Sequence, residues 1–122
     1  MNIRICDSHK IGPQCRERFL PFLDTGPLAR LGVTMAGISD LRGEYYISRV
    51  KTNFLLCLGT LSGRATLTTE KYRQNLKAGE LLIAPAGSTY RYDLIHGRPW
   101  KIVWFHIKNV SGYEPGKIEV RS

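Results

Sequence analysis

Three groups of side chains in this chain could do chemistry. The first is a set of metal-type ligands: His9, His96 and His106 with Cys6, Cys15 and Cys57. A metal centre needs about three such ligands converging. Here the histidines lie far apart, and only His106 falls in a strand-like run. The cysteines are odd in number and show no C-x-x-C spacing. Neither a metal site nor any other cofactor is expected. Cys57, inside the apolar run "FLLCL", reads as a buried small hydrophobe, and a Cys6–Cys15 disulfide is left open. The second group is "YRY", Tyr90 to Tyr92, together with "YYISR", Tyr45 to Arg49. Tyrosine faces stack on bases while arginines contact phosphates, so these stretches could serve a single-stranded nucleic acid. The third group is Trp100 and Trp104, four residues apart, followed by His106. A tryptophan in a strand is more often core than a binding platform, although its flat face can be either. The sequence carries no P-loop, no G-x-S-x-G and no dinucleotide fingerprint.

The elements that must position these groups are short and mostly β. With 122 residues and 43% hydrophobic composition, the chain is long enough for one domain with a buried core. No run of about 18 apolar residues occurs, so no membrane span is expected. The start, "MNIRICDSHK", lacks the apolar centre of a signal peptide and reads as that of a cytoplasmic protein. Eighteen Lys and Arg against ten Asp and Glu give a formal charge of +8. That balance invites nucleic acid. The basic residues are scattered from Arg4 to Arg121 without a cluster, so a basic solvated surface is the expectation.

Residues 1–25 lack clear alternation, and "PQCRERFLPFLD" has room for a helical turn or two before Pro21 interrupts it. From Leu31 onward the pattern becomes β. "LGVTMAGIS" and "EYYISRV" are separated by the turn-prone "DLRG". "NFLLCLGTLSG" is too apolar for a one-sided strand and should be covered on both faces, with Gly59 and Gly63 marking bends. "RATLTTEKYRQNL" reads as a hairpin turning at Glu70–Lys71, "ELLIAPAG" as a short buried strand, and "TYRYDLI" and "WKIVWFHIKN" as two more strands. Seven or eight strands without a repeat predict a mostly β antiparallel sandwich or barrel, with a short irregular or helical N-terminal segment. The divisions expected are residues 1–30 as an N-terminal arm, 31–108 as the barrel and 109–122 as a C-terminal extension.

The stretch "AGELLIAPAGSTYRY" carries the most specific spacing. Gly79 can adopt the positive φ that leads a hairpin into "LLIA", Pro85 ends that strand, and Gly87 permits a tight turn. Gly79, Pro85, Gly87 and Tyr90 resemble the second motif of the cupin superfamily, in which the position of Tyr90 is a metal-binding histidine. The first cupin motif, with its His-x-His and glutamate, has no counterpart in "SGRATLTTEKYRQNL". The resemblance therefore implies a cupin-like barrel or jelly roll without its metal site. The order "YYISR", "FLLCLGTLSGRATL", "LKAGELLIAPAGSTYRY", "RPWKIVWFHI" also resembles the N-terminal effector-binding domain of AraC/XylS transcription regulators, over roughly Leu31 to Ile107. Their runs are of the type SG-x-G, PGDLLL-x-PPG-x-x-H-x-Y and W-x-x-x-W-x-x-F. This chain departs from them with Ala78 for proline, Glu80 for aspartate, Ala65 for the second glycine and Tyr90 for histidine.

The resemblance implies that Arg49, Tyr92, Ile102 and Trp104 contact a small-molecule effector, with Ile102 replacing a polar contact. Alternation along the strand adds Tyr90 to the same inward face as Tyr92 and Leu94, and turns Arg91 and Asp93 outward. Trp100, Ile102, Trp104 and His106 likewise share one face. An arginine fork, tyrosine hydroxyls and an indole face suit a sugar or related polar metabolite. The resemblance further implies a homodimer, and contact with duplex DNA only through a helix-turn-helix domain C-terminal to the sensor. Residues 109–122 contain no such domain, so the chain is expected to be a piece of a longer regulator. The expectation is a sensor rather than an enzyme. The alternative is a metal-free cupin isomerase or lyase using tyrosine and His106 as acid and base, which the lack of an acidic residue on the predicted inward faces disfavours.

Overall fold

Alternation along the strands decides the architecture. In a computed structural model, which describes residues 4–21, 25–108 and 117–122, ten strands form one curled antiparallel sheet. The strands are β1 (Ser8–Ile11), β2 (Arg16–Phe19), β3 (Val33–Leu41), β4 (Tyr45–Arg49), β5 (Leu55–Thr69), β6 (Arg73–Lys77), β7 (Leu81–Ala84), β8 (Tyr90–Leu94), β9 (Trp100–Ile107) and β10 (Glu119–Arg121). One helical turn, α1 (Pro27–Arg30), precedes β3. The mostly β, curled-sheet class expected from the sequence is the class observed.

The sheet folds into two facing walls. The first wall runs β1-β4-β8-β5-β6 and the second β2-β3-β9-β5-β7-β10. Strand β5 serves both: Leu56–Gly59 pairs with β7, and Ala65–Thr69 with β8. Between these halves the register with β9 shifts at Thr60/Ser62, and Gly63 takes a φ of 81°. A Cβ at Gly63 would sit 2.1 Å from the Pro99 carbonyl oxygen, so only glycine lets the strand cross from wall to wall there. Between the walls lies an apolar core that includes Leu41, Leu56, Leu58, Leu67, Leu82 and Trp100, all buried. Fully burying each such side chain stabilises by about 1.5–3 kcal/mol relative to exposure.

Several sequence expectations change. "RERF" is not helical: Arg16–Phe19 is an extended strand on the edge of the second wall, paired with β3 from Arg16↔Asp40 to Phe19↔Gly37. β1 is likewise an edge strand of the first wall, pairing with β4, so part of the N-terminal arm is built into the sheet. The helical turn comes later, at Pro27, where a proline at the first helical positions is tolerated. β10 pairs with β7, so the described part of the C-terminal extension also joins the sheet; residues 109–116 lie outside the described residues. Strand β5 is covered on both faces only at its start: Leu55 and Leu56, on opposite faces, are both buried, as is Leu58, but Cys57 is half-buried on the outside and Leu61 is exposed. Cys57 is thus an outer-face residue, and Cys6, Cys15 and Cys57 are all free thiols.

Candidate functional site

The five residues expected at the site face one another across the barrel. Arg49 and Tyr90 are cross-strand neighbours of β4 and β8, with Ile47 opposite Tyr92 in the next inward pair. Ile102 and Trp104 lie on β9 of the opposing wall. Four of the five, Tyr90, Tyr92, Ile102 and Trp104, are buried, and Arg49 is half-buried. Alternation turns Arg91 and Asp93 to the outside, as the sequence predicts.

On the first wall the tyrosines form a stack. The Tyr90 and Tyr92 rings lie 6.0 Å apart at 13°, and Tyr45 joins Tyr92 at 6.2 Å. Burial pushes the hydroxyls of Tyr45, Tyr90 and Tyr92 well above the usual phenol range, so all three are neutral donors. Arg49 places its guanidinium carbon 5.3 Å from the centre of the Phe54 ring. Among the described residues no carboxylate lies within ion-pair distance of Arg49. Its Nε and the Tyr90 hydroxyl are both buried without a hydrogen-bond partner among the described residues. Two unmatched polar atoms on one cross-strand pair are costly, about 1–3 kcal/mol each if nothing fills the gap.

The opposite wall is held differently. The Trp104 indole N–H donates to Ser39 Oγ at 2.8 Å, and the Ser39 hydroxyl donates to Glu17 Oε2 at 2.5 Å. Gly37 faces Trp104 across β3 and β9, and a Cβ there would come within 2.7 Å of the indole. The missing side chain is what lets the ring lie down on the strand. Phe19 meets the indole edge-on at 5.5 Å and 79°. Trp100 is different: fully buried, with its N–H on Thr60 Oγ1 at 3.1 Å, it is core. Ile102, also fully buried, gives this wall an apolar floor.

His106 completes the ring of groups. It stacks on Phe54 at 4.1 Å and 16° and lies 5.1 Å from the Trp104 ring. Burial, helped by the positive charge of Arg49, lowers its pKa to about 4, so the imidazole is neutral at physiological pH. Glu17 corrects the expectation that no acidic residue faces inward. It reaches the interior because "RERF" is a strand: Arg16 and Arg18 point away, and Glu17 turns toward Ser39. Read with a period of two, the same four letters would have shown it. Glu17, Ser39, Gly37 and Phe54 were the residues not anticipated. Gly37 and Ser39 had no recognisable signal, since their role depends on the partner strand β9.

Among the described residues, no group of three or more His, Cys, Asp and Glu side chains could hold a metal ion. Among the same residues, no helix is long and apolar enough to cross a membrane. No family model matches the chain, and no curated protein matches it. Solved structures do. The Escherichia coli protein Ylba aligns over 93% of this chain and 48% of its own, with a TM-score of 0.66 and 18% identity. A cupin domain of an XRE-family transcriptional regulator from Enterobacter cloacae aligns over 79% of this chain and 98% of its own, with a TM-score of 0.62 and 10% identity. A predicted oxalate decarboxylase from Thermotoga maritima aligns over 88% and 99%, with a TM-score of 0.66 and 10% identity. The chain spans about half the length of Ylba. The fold is that of the cupins. Proteins sharing it include a regulator's cupin domain and a predicted enzyme, and the AraC/XylS likeness rests on the sequence motifs alone.

Proposed function

We propose that the barrel interior binds a small polar effector, a sugar acid or similar carboxylate-bearing metabolite, and that the chain is the effector-binding part of an AraC/XylS-type regulator. The observation that carries this reading is that Arg49 Nε and Tyr90 Oη, on residues paired across β4 and β8, are both buried without a partner among the described residues. A ligand carboxylate or hydroxyl accepting from both would satisfy them, and Arg49 would gain the counter-charge it lacks. On this reading the Trp104 indole, on the opposite wall, packs against the ligand's C–H side. On this reading the protein works in the cytoplasm as a homodimer, and duplex DNA is contacted by a further domain.

The test is a thermal-shift screen of sugars and small carboxylates, followed by titration of the hit into Arg49→Ala and Trp104→Phe. Both variants should bind about ten- to a hundredfold more weakly. Unchanged affinity in both would place the ligand elsewhere. Glu17 and His106 favour one second reading, a metal-free isomerase or lyase, because the interior does hold a carboxylate and a neutral imidazole. Solvent deuterium appearing in the hit compound after incubation with the protein in D2O would select that reading.

A further inference from the structure

The outer face of the first wall carries a cleft that the interior site does not use. Its volume is about 520 Å³, within the range of small-molecule sites. Register builds it: Ser8, Ser48, Arg91, Thr68 and Arg73 stand in one row across β1, β4, β8, β5 and β6. Tyr46, Asp93 and Thr66 form part of the next row. The segment before β1 borders one side. It is tied down by Ser48, whose hydroxyl donates to the Cys6 carbonyl, and by Asp7, whose Oδ1 accepts from the Val50 N–H at 2.7 Å. That segment brings Arg4 to the cleft.

Three arginines from three separate parts of the chain thus converge on a lining with one acid, Asp93. Arg91 is braced, its guanidinium carbon 4.2 Å above the Tyr46 ring and its Nη2 3.9 Å from Asp93. Among the described residues, Arg4 and Arg73 make no ion pair, and the hydroxyls of Ser8, Thr66 and Thr68 make no hydrogen bond to protein. Guanidinium forks and hydroxyl donors around a polar cleft are the chemistry of phosphate recognition. The geometry points to a second ligand site, for the phosphate groups of a small phosphorylated molecule. A single-stranded nucleic acid fits less well. Tyr90 and Tyr92 are buried on the other side of the sheet, Arg91 already covers the Tyr46 face, and the exposed Tyr72 in the β5–β6 turn is not part of the cleft lining, so the cleft itself offers no free tyrosine face to stack a base.

The probe is inorganic pyrophosphate, titrated into the full chain and followed by amide chemical shifts. Saturable shifts are expected at Thr66, Thr68, Arg73 and Arg91, with a dissociation constant below about 1 mM. Arg73→Gln combined with Arg91→Gln should weaken binding at least about tenfold. Asp93→Asn should tighten it, since it removes the carboxylate that repels an anion. The opposite signs guard against a general loss of structure, and far-UV circular dichroism should be unchanged in all variants. Shifts that do not saturate, that map elsewhere, or that survive the double arginine variant would overturn the site. An oligothymidylate binding more tightly than pyrophosphate, with a steep salt dependence, would overturn the small-molecule assignment.

Discussion

Arg49 and Arg91 sit on paired strands of one wall and look in opposite directions. Outside, Arg91 is half-exposed, braced on the Tyr46 ring and close to Asp93, so its charge is shared with water and a carboxylate. Inside, Arg49 has aromatic neighbours, no counter-charge among the described residues, and a buried Nε without a partner. The same residue type is balanced on one side of the sheet and left unbalanced on the other. An outward arginine needs no further explanation from packing. An inward one held without compensation is the position where a ligand contributes most, because binding removes a penalty that the protein carries without it.

The largest effect that sharpens this contrast lies at Trp104. If the indole is chiefly part of the packed inner wall, Trp104→Ala should lower unfolding stability by about 3–5 kcal/mol, while Arg91→Ala on the outer face should stay within about 0.5 kcal/mol. Urea titration of both variants measures the difference. A loss below about 1 kcal/mol at Trp104 would recast it as an open platform rather than a wall. Gly37→Ala comes next, since its Cβ would collide with the indole and with the Arg18 carbonyl oxygen, each 2.7 Å away. Overpacking of this kind costs about 1–3 kcal/mol.

Tyr90→Phe tests the unmatched pair directly. Removing a buried hydroxyl that has no partner should raise the stability of the empty protein by about 1–2 kcal/mol while weakening effector binding. A loss of stability instead would mean that the hydroxyl is satisfied in solution, and the inner and outer faces would then differ less than they do here. The pH dependence follows from His106. Its folded pKa, about 4, lies below its ordinary value of 6.5, so the unfolded chain binds the extra proton first. Its contribution to stability should be full above about pH 6.5 and fall as the pH drops from there toward 4. The smallest effect separates the two arginines. Arg49→Met should move the His106 titration upward, seen by imidazole proton shifts, and Arg91→Met should leave it where it is.

Much of this was legible because strands declare themselves by period and punctuation. Gly79 and Gly87, with φ of 87° and 91°, adopt the positive φ that their turns called for, and the run from Tyr90 alternates between interior and exterior as its letters do. The N-terminal strand was not legible as strand. In "RERF" three charged residues precede one aromatic, which looks like a solvated helix until β3 is there to pair with it. Gly37 and Ser39 illustrate the deeper limit. A small residue and a hydroxyl in "AGIS" have no distinctive pattern, and their meaning comes from an indole placed opposite by a strand far along the chain.

That distance has a cost during synthesis. Ser39 is paired with Ile102, so β3 cannot find its partner on the β9 side until residues more than 60 positions later have been made. At roughly 5–20 residues per second on the ribosome, β3 waits roughly 3–13 s with that edge unpaired. Its sequence, "VTMAGISDL", offers a neighbouring chain a hydrophobic edge during that interval. β2, on the other edge of β3, carries Arg16, Glu17 and Arg18 and can pair as soon as the "RERF" segment folds back. It is placed to shield one side of the nascent strand with charge. Deleting residues 4–19 should therefore increase aggregation of newly made protein more than a loss of native stability alone would explain, and pulse-labelled solubility during translation would reveal it.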